Sequence, residues 1–397
     1  MKVFGVLLFP VVQMLRPFFT MAIAMQSLAG AAEMPSTMQA FIAPSSNASS
    51  FYFNSSFPVP NINRLKEDFT NLPDGAHPVM LQVLCSSVNP SDLTTDAYLK
   101  PNPLGSDVVG IVIEVGSDQS PFKVGDIVWG DIGANVQLAT DPSVTTKELG
   151  ALAEIAVALD TQLALAPLRE DDNASLLELC GLPKVGLTTW KALSWYAGAP
   201  WVQPTFEAPE TNVSVLVLGG SGGTGSAGIQ MAKAFGSTMV AATASPDNFE
   251  YCEELGADLM IDYHTTEWSE VFSPGEIDVI YDTVGEPGTA EKAFSILSRH
   301  GGHFVTIADF SDVVVDVPAG VTFSKFINSD TNLVSAPEMQ GLSAMYEAGQ
   351  LRMPSVAVYG LSQTAEAFAT SAEGHVVGKL VISISNETSL SASKKTR

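Results

Sequence analysis

Positive charge is scarce in this chain. Nineteen Lys and Arg stand against 43 Asp and Glu, a formal net charge of −24 at pH 7, so phosphate backbones and anionic lipid headgroups are repelled at long range rather than gathered. Nucleic acid is therefore not expected as a partner. Cysteine is scarcer still. Cys85, Cys180 and Cys252 show no Cys-x-x-Cys spacing, so no disulfide framework or structural zinc knot can be read from them. They read as three small core residues. The five histidines, His77, His264, His300, His303 and His375, form no ligand pair of metal-binding spacing and read as surface or hydrogen-bonded groups.

Charged residues of either sign make up only 16% of the chain, against 46% hydrophobic. That balance suits a sizeable core and excludes wholesale disorder. A length of 397 residues exceeds one ordinary domain and predicts two that share a cleft.

The first 32 residues read as a presequence and not as part of the fold. Lys2 precedes the apolar run Val3 to Leu15, then come Arg16, a second apolar stretch and the small triplet Ala29-Gly30-Ala31. Basic start, apolar core and small-x-small site are the order of a secretory signal peptide. Two alternatives stay open. An uncleaved segment could anchor the chain in a membrane, or a bipartite presequence could direct it to an organelle, since Ala40-Phe41-Ile42-Ala43-Pro44 resembles the plastid cleavage motifs of some algae. Five Asn-x-Ser/Thr triplets, at Asn47, Asn54, Asn173, Asn212 and Asn386, are weak support for the secretory route, since such triplets arise by chance, and Asn212 argues against it, standing at the mouth of an expected buried strand, a poor place for a glycan.

Beyond the presequence, Met38 to Ile42, Val79 to Val88, Val108 to Val115 and Ile127 to Trp129 read as short strands, with a Ser/Asn-rich loop from Ser45 to Ser56. Frequent Gly and Asp turns between them suggest a β domain. From Leu182 onward apolar strands alternate with helices: Val213 to Leu218, helix Thr224 to Phe235, Met239 to Thr243, helix Asn248 to Leu255, Asp258 to Ile261, Asp278 to Asp282, helix Thr289 to Ser298, and His303 to Ile307. Such alternation predicts a doubly wound parallel sheet. A last strand, Lys379 to Ile384, precedes a polar tail. The expected organisation is a presequence over 1–32, a substrate domain over 33–181, a dinucleotide-binding domain over 182–330, a return to the substrate domain over 331–384 and a tail over 385–397.

The segment Val213 to Gly236 carries the clearest chemistry. An apolar strand runs straight into Gly220-Ser221-Gly222-Gly223-Thr224-Gly225, and an alanine-rich helix follows and ends at Gly236. A diphosphate on a helix N-terminus needs backbone N–H groups aimed at it and no Cβ in the way. The spacing Gly220-x-Gly222-x-x-Gly225 between strand and helix is that of a dinucleotide-binding turn. The next strand ends in Ala244-Ser245-Pro246, without the carboxylate that would bind a ribose 2′-hydroxyl. Ser245 can instead donate to a 2′-phosphate, which points to NADP(H).

With those residues in place the chain resembles the quinone-oxidoreductase and enoyl-reductase branch of the medium-chain dehydrogenase/reductase superfamily. The likeness runs from about Met38 to Ile384 and rests on the order of Asn89-Pro90-x-Asp92, Gly105-x-Asp107-x-x-Gly110, Val124-Gly125-Asp126, Leu182-Pro183, Gly186-Leu187-Thr188, the glycine turn, Leu255-Gly256-Ala257-Asp258, Asp262-Tyr263 and Gly378-Lys379. It implies an α/β fold, a Rossmann doubly wound parallel sheet plus a GroES-like β-barrel domain. Zinc-dependent relatives have a Cys where this chain has Asn89 and a His-Glu pair where it has Ser106-Asp107, so the resemblance implies a metal-free enzyme. NADPH would then pass hydride to a quinone or an α,β-unsaturated carbonyl, both electrophilic by conjugation. Asn89 is implied at the cleft, Thr188 near the nicotinamide, Tyr263 at the adenosine phosphate end and Lys379 near the cofactor, with Tyr98 a candidate proton donor. A homodimer is compatible with this organisation. Two rival readings are a non-catalytic NADPH-binding sensor or scaffold and a trans-acting enoyl reductase of a biosynthetic pathway.

Because residues 1 to 32 precede the first expected strand, deleting them should leave a soluble, folded chain. Circular dichroism and gel filtration check this, and loss of folding would return the segment to the fold.

Overall fold

The computed structural model describes residues 34–43, 51–92, 102–148, 150–168, 172–199, 212–307, 316–326, 332–354 and 356–384. The expected presequence and tail, with Asn47 and Asn386, lie outside them. Among the described residues no helix is long and apolar enough to cross a membrane.

Strands β1 (Thr37–Ala43), β2 (Tyr52–Pro58), β3 (Pro78–Ser87), β4 (Asn102–Pro103), β5 (Asp107–Val115), β6 (Ile127–Asp131), β7 (Ala134–Gln137), β8 (Thr145–Glu148), β9 (Ile155–Leu159) and β10 (Leu163–Leu165) come first, with the short helix α1 (Arg64–Asp68) between β2 and β3. Part of the expected Ser/Asn loop is strand. Phe53 and Phe57 of β2 pack against the cores beside β1, and these aromatic side chains outweigh the polar Asn-Ser-Ser between them. Ala40 to Ala43 are buried in β1, so cleavage inside the Ala40–Pro44 motif would cut a core strand.

Helices α2 (Asp172–Cys180) and α3 (Pro183–Trp190) lead to the second sheet. It contains β11 (Ser214–Leu218), β12 (Met239–Ala244), β13 (Leu259–Asp262), β14 (Val279–Asp282), β15 (Gly302–Thr306) and β16 (Val321–Lys325), all parallel, in the order β13-β12-β11-β14-β15-β16. The sixth strand, β16, was not anticipated. All five residues of β11 are buried, as a strand covered on both faces requires. Val215 and Val217 face one core with Ile229 and Met231 of helix α4 (Gly223–Ala234). Leu216 and Leu218 face the other, with Phe294 of helix α6 (Thr289–Ile296), as the two-residue period of a strand dictates. The shorter helix α5 (Phe249–Glu254) links β12 to β13.

After helix α7 (Ala336–Glu347), strand β17 (Val356–Gly360) and helix α8 (Thr364–Ala372), the chain returns to the first sheet through β18 (Lys379–Ser383). The order there is β10-β6-β5-β3-β18-β17, and β9 also pairs with β3. Val381 of β18 lies opposite Ser87 of β3, so the β-sheet is closed by residues from both ends of the sequence.

One expectation is corrected. Cys85 on β3 and Cys180 at the end of α2 are joined as a disulfide, with Cα atoms 5.9 Å apart and 95 residues between them, a Cα separation ordinary for the bond. Linear spacing could not reveal a pairing made by the packing of α2 on β3. Cys252 is a buried free thiol whose pKa burial pushes up to about 12. Denatured, non-reduced protein should therefore alkylate at one cysteine and reduced protein at three, read by mass spectrometry. Three alkylated cysteines without reductant would refute the pairing.

Candidate active site

The carboxyl ends of β11 and β14 diverge where the strand order reverses, and a cleft of ≈ 690 Å³ opens there. Clefts at this switch point are the ligand sites of open parallel sheets. Its floor is the glycine turn. Gly219 has φ +82°, and a Cβ there would come within 2.8 Å of Thr283 Oγ1; its N–H donates to Thr243 Oγ1 at 2.9 Å. Gly220 N–H donates to Thr243 O, so the turn is stitched to β12. At Gly225 a Cβ would lie 2.0 Å from Gly219 O, and no larger residue can bring α4 so close to β11. A Cβ on Gly222 would meet nothing closer than Gly219 O at 3.6 Å, so the turn is open toward the cleft at that point. Gly222 caps α4, whose first turn holds no acidic residue, and the first-turn N–H groups of a helix have no intrahelical partners. This cradle fits a dinucleotide diphosphate.

The second wall comes from the β12 exit. Ser245 Oγ accepts from Asn248 Nδ2 at 3.0 Å, and both line the cleft with Tyr263 and Trp268. The exposed Tyr263 ring lies against His264, centroids 4.2 Å apart. Strand-end reasoning found no carboxylate here, yet Asp247, Asp282 and Glu286 all line the cleft. Asp247 sits two positions past Ser245 on a short 3₁₀ turn, beyond the position inspected in the sequence.

Asn89 lies elsewhere, in a buried polar cluster built from the first sheet and helix α3. It is 3% exposed. Its Nδ2 donates to Asp107 Oδ2 at 2.8 Å and Ser106 Oγ at 3.4 Å, and its Oδ1 accepts from Lys379 Nζ at 2.7 Å. Asp107 also accepts from Ser87 Oγ and, at 2.6 Å, from Lys184 N–H. Lys184 Nζ bonds Asp131 Oδ2 at 2.8 Å, and Ser106 Oγ donates to Asp92. Burial alone would lower the Lys184 pKa, but the carboxylates of Asp131, Asp92 and Asp107 more than offset it and hold it above its ordinary value. For Lys379 burial prevails over Asp107 and Asp92, and its pKa falls below the ordinary value.

The sequence-derived residues thus separate into two groups. Gly220, Gly222, Gly223, Thr224 and Gly225 form the turn, and Ser245 and Tyr263 flank its cleft. Lys379 packs its stem where a Gly223 Cβ would stand, 2.7 Å from that position, but its head turns away to Asn89 and Val88 O. Thr188 is buried in α3 and does not line the cleft; its neighbour Thr189 instead donates to Thr224 O at 3.3 Å. Tyr98 lies outside the described residues. Sequence reasoning missed Lys184 and Asp131, and no local signal marks them, because only the fold brings them together. It also missed Asp247, Glu286 and His375 as cleft residues.

Residues 75–168 match the alcohol dehydrogenase GroES-like domain and residues 255–382 match the family model described as zinc-binding dehydrogenase. The chain is 31% identical over 315 residues to 2-methylene-furan-3-one reductase of Solanum lycopersicum, covering 77% of this chain and 71% of that protein. It is 31% identical over 316 residues to NADPH-dependent alkenal/one oxidoreductase, chloroplastic, of Arabidopsis thaliana, with the same coverage of 77% and 71%. Its fold matches quinone oxidoreductase from Coxiella burnetii with a TM-score of 0.63 at 23% identity, over 87% of this chain and 99% of that one. The donor set does not fit the zinc of the second model's description. Asn89 and Ser106 are neutral oxygen or amide groups, the Asp107 carboxylate is filled by the donors above, and among the described residues no group of three His, Cys, Asp or Glu could hold a metal.

Replacing Lys184 by Met would strip the buried Asp131 carboxylate of its ammonium. Unfolding free energy from urea titration should fall by about 3 to 5 kcal/mol. Lys292→Ala, which breaks the half-exposed pair with Glu267, should cost under about 1 kcal/mol. Equal losses would mean that the cluster is no better insulated than the surface.

Proposed function

The chain belongs to the medium-chain dehydrogenase/reductase family, and on that premise we propose that it is an NADPH-dependent oxidoreductase acting on an α,β-unsaturated carbonyl or a quinone. The observation that carries this reading is the open glycine cradle at the switch point, with the buried Asn89–Asp107–Lys379 cluster where zinc-dependent members hold metal ligands. NADPH, when bound, supplies the hydride. The chain's own residues do the rest. The Gly219 to Gly225 turn and the α4 N-terminus hold the diphosphate through N–H groups and the helix dipole, and Ser245 offers a neutral donor at the ribose. Tyr263 and Trp268 form the adenosine-side wall.

At the reacting end we assign an orienting role to Asn89. Its amide is pinned at both ends, by Asp107 on the nitrogen and Lys379 on the oxygen, so it cannot flip and the loop Val88 to Asp92 is held in one conformation. A conjugated carbonyl needs no Lewis acid to accept hydride, only hydrogen-bond donors to the oxygen on which charge develops. Tyr98 is our candidate for delivering the proton. Organelle targeting, as in the chloroplastic relative, is the localisation we favour over the secretory route, and a homodimer is compatible with the reading.

The test is oxidation of NADPH against a panel of enals, enones and quinones, with saturated ketones as controls. Turnover confined to the conjugated acceptors is expected; turnover of simple ketones or alcohols, or none at all with any acceptor, would sink the proposal. Because Asp247 and Glu286 share the cleft, the preference for NADPH over NADH should be modest. Ser245→Asp should reverse it by adding like charge beside the 2′-phosphate, a cost of about 1 to 3 kcal/mol or about ten- to a hundredfold. Equal weakening of both cofactors would show that Ser245 does not face the ribose.

A further inference from the structure

We infer that the Cys85–Cys180 bond is a positioning element for the reacting end: it holds together the two chain segments that orient Asp107, and through Asp107 the Asn89 amide, so that its reduction slows hydride transfer while the cofactor stays bound. The inference rests on the reading that hydride is transferred beside Asn89. It starts from where the two cysteines stand. Both are buried, and neither lines the cofactor cleft. On β3, Cys85 lies opposite Val109 of β5. Ser87, two residues on and on the same face of the strand, donates its hydroxyl to Asp107 Oδ2. Asn89, two residues further, donates to the same oxygen at 2.8 Å. Both neutral donors to Oδ2 thus come from the segment that follows Cys85.

The other carboxylate oxygen depends on the other cysteine. Cys180 ends α2, and Gly181 to Pro183 alone separate it from Lys184, whose N–H donates to Asp107 Oδ1 at 2.6 Å. That linker is packed closely. A Cβ on Gly181 would stand 3.2 Å from Lys379 Cβ and 3.2 Å from Met353 Cγ, and Lys379 Nζ lies 3.6 Å from Asp107 Oδ2 and 2.7 Å from Asn89 Oδ1. Covalent and hydrogen bonds therefore close a ring that runs from Cys85 to Ser87, across to Asp107, across to Lys184, back to Cys180 and through the sulfurs to Cys85.

The hydrogen-bonded links of this ring are only as fixed as α2 is on β3. With the sulfurs joined, the two Cα atoms are tied at a short separation. With two thiols, the placement rests on packing and on a weak contact of Cys85 Sγ with Leu176 O at 3.8 Å. A misplacement of about 1 Å at a reacting group costs up to about a hundredfold in rate. The glycine cradle is anchored separately, by Gly219 and Gly220 to Thr243 and by Gly378 N–H to Ser221 O, so the cofactor site does not share the ring. A dithiol supplies the electrons for reduction. Its first thiolate attacks one sulfur, breaks the S–S bond and expels the other as thiolate; its second displaces the mixed disulfide, leaving two protein thiols and the cyclic disulfide of the reagent.

The experiment reduces the folded full chain with excess dithiothreitol, removes the reagent by anaerobic gel filtration, and counts free thiols by alkylation and mass spectrometry. It then measures kcat and KM for an enone with NADPH, and the NADPH dissociation constant by calorimetry. On reduction kcat should fall about tenfold, with KM and the NADPH constant within about twofold, and it should recover on treatment with the cyclic disulfide form of the reagent. The double variant Cys85→Ala/Cys180→Ala, its folding checked by circular dichroism, should match reduced wild type and ignore the reagent. In Asn89→Ala reduction should cost nothing further, because the group being positioned is gone. Unchanged kcat in a chain with all three cysteines free, an undiminished loss in Asn89→Ala, or a matching loss of NADPH affinity would overturn the inference and leave the proposed function intact. Turnover of no acceptor by oxidised wild type would remove the proposed function by itself. The positioning is then read from amide exchange at Lys184, which should quicken about tenfold on reduction while Gly225 is unmoved; equal exchange in the two redox forms would overturn it.

Discussion

The ammonium of Lys379 joins the parts of this molecule that have to act together. Its stem fills the space over Gly223 at the start of the dinucleotide helix, and its head bonds Asn89 and Val88, just past the end of β3 in its own sheet. A charge buried this deeply is tolerable only with partners on several sides. Those partners are Asn89 and Asp107, and they draw in Ser87, Ser106, Lys184 and, through it, Asp131. Removing the ammonium would take from Asp107 a counter-charge 3.6 Å away and from Asn89 Oδ1 its donor. The relative placement of the glycine cradle and the Asn89 loop therefore follows from electrostatic satisfaction at one buried point, and hydrophobic contact along the seam supports it.

Much of the architecture was legible because it is written in period and punctuation. The β11 strand, its glycine turn and the α4 helix follow from an apolar run, a cluster of residues without Cβ atoms and a helix closed at Gly236, where φ is +99°. What escaped detection was whatever depends on distant residues meeting. Cys85 and Cys180 gave no spacing signal, and Lys184 and Asp131 look like surface charges until α3 packs over β6. The β2 strand was hidden by its polar centre, although Phe53 and Phe57 supply the apolar contacts. Asp247 was missed for a different reason: the inspected position was the strand end, and a 3₁₀ turn carries the next carboxylate back to the cleft.

The strongly acidic composition and an anionic ligand are compatible because the two act at different ranges. A net charge of −24 sets the far field, which salt screens over about 8 Å at physiological ionic strength. At the turn itself the ligand meets the backbone N–H groups and the end of the α4 dipole, which lie well inside that distance. The far field then disfavours polyanions that must approach a broad surface, while a single dinucleotide can enter one cleft. Composition here selects against classes of partner and says little about the ligand held at a turn.

The pairing of β18 with β3 also orders events in time. Lys379 and Asn89 are 290 residues apart in sequence, with the whole parallel sheet between them. A ribosome adding about 5 to 20 residues per second needs on the order of 15 to 60 seconds to produce the second partner after the first. During that interval the parallel sheet can complete itself, while the edge of β3 that receives β18 has no mate and presents open backbone groups. Closure of the first sheet waits for the last strand. Truncated translation products of this chain would thus carry an assembled nucleotide cradle beside an unfinished β-sheet, a species suited to chaperone capture and prone to edge-to-edge association.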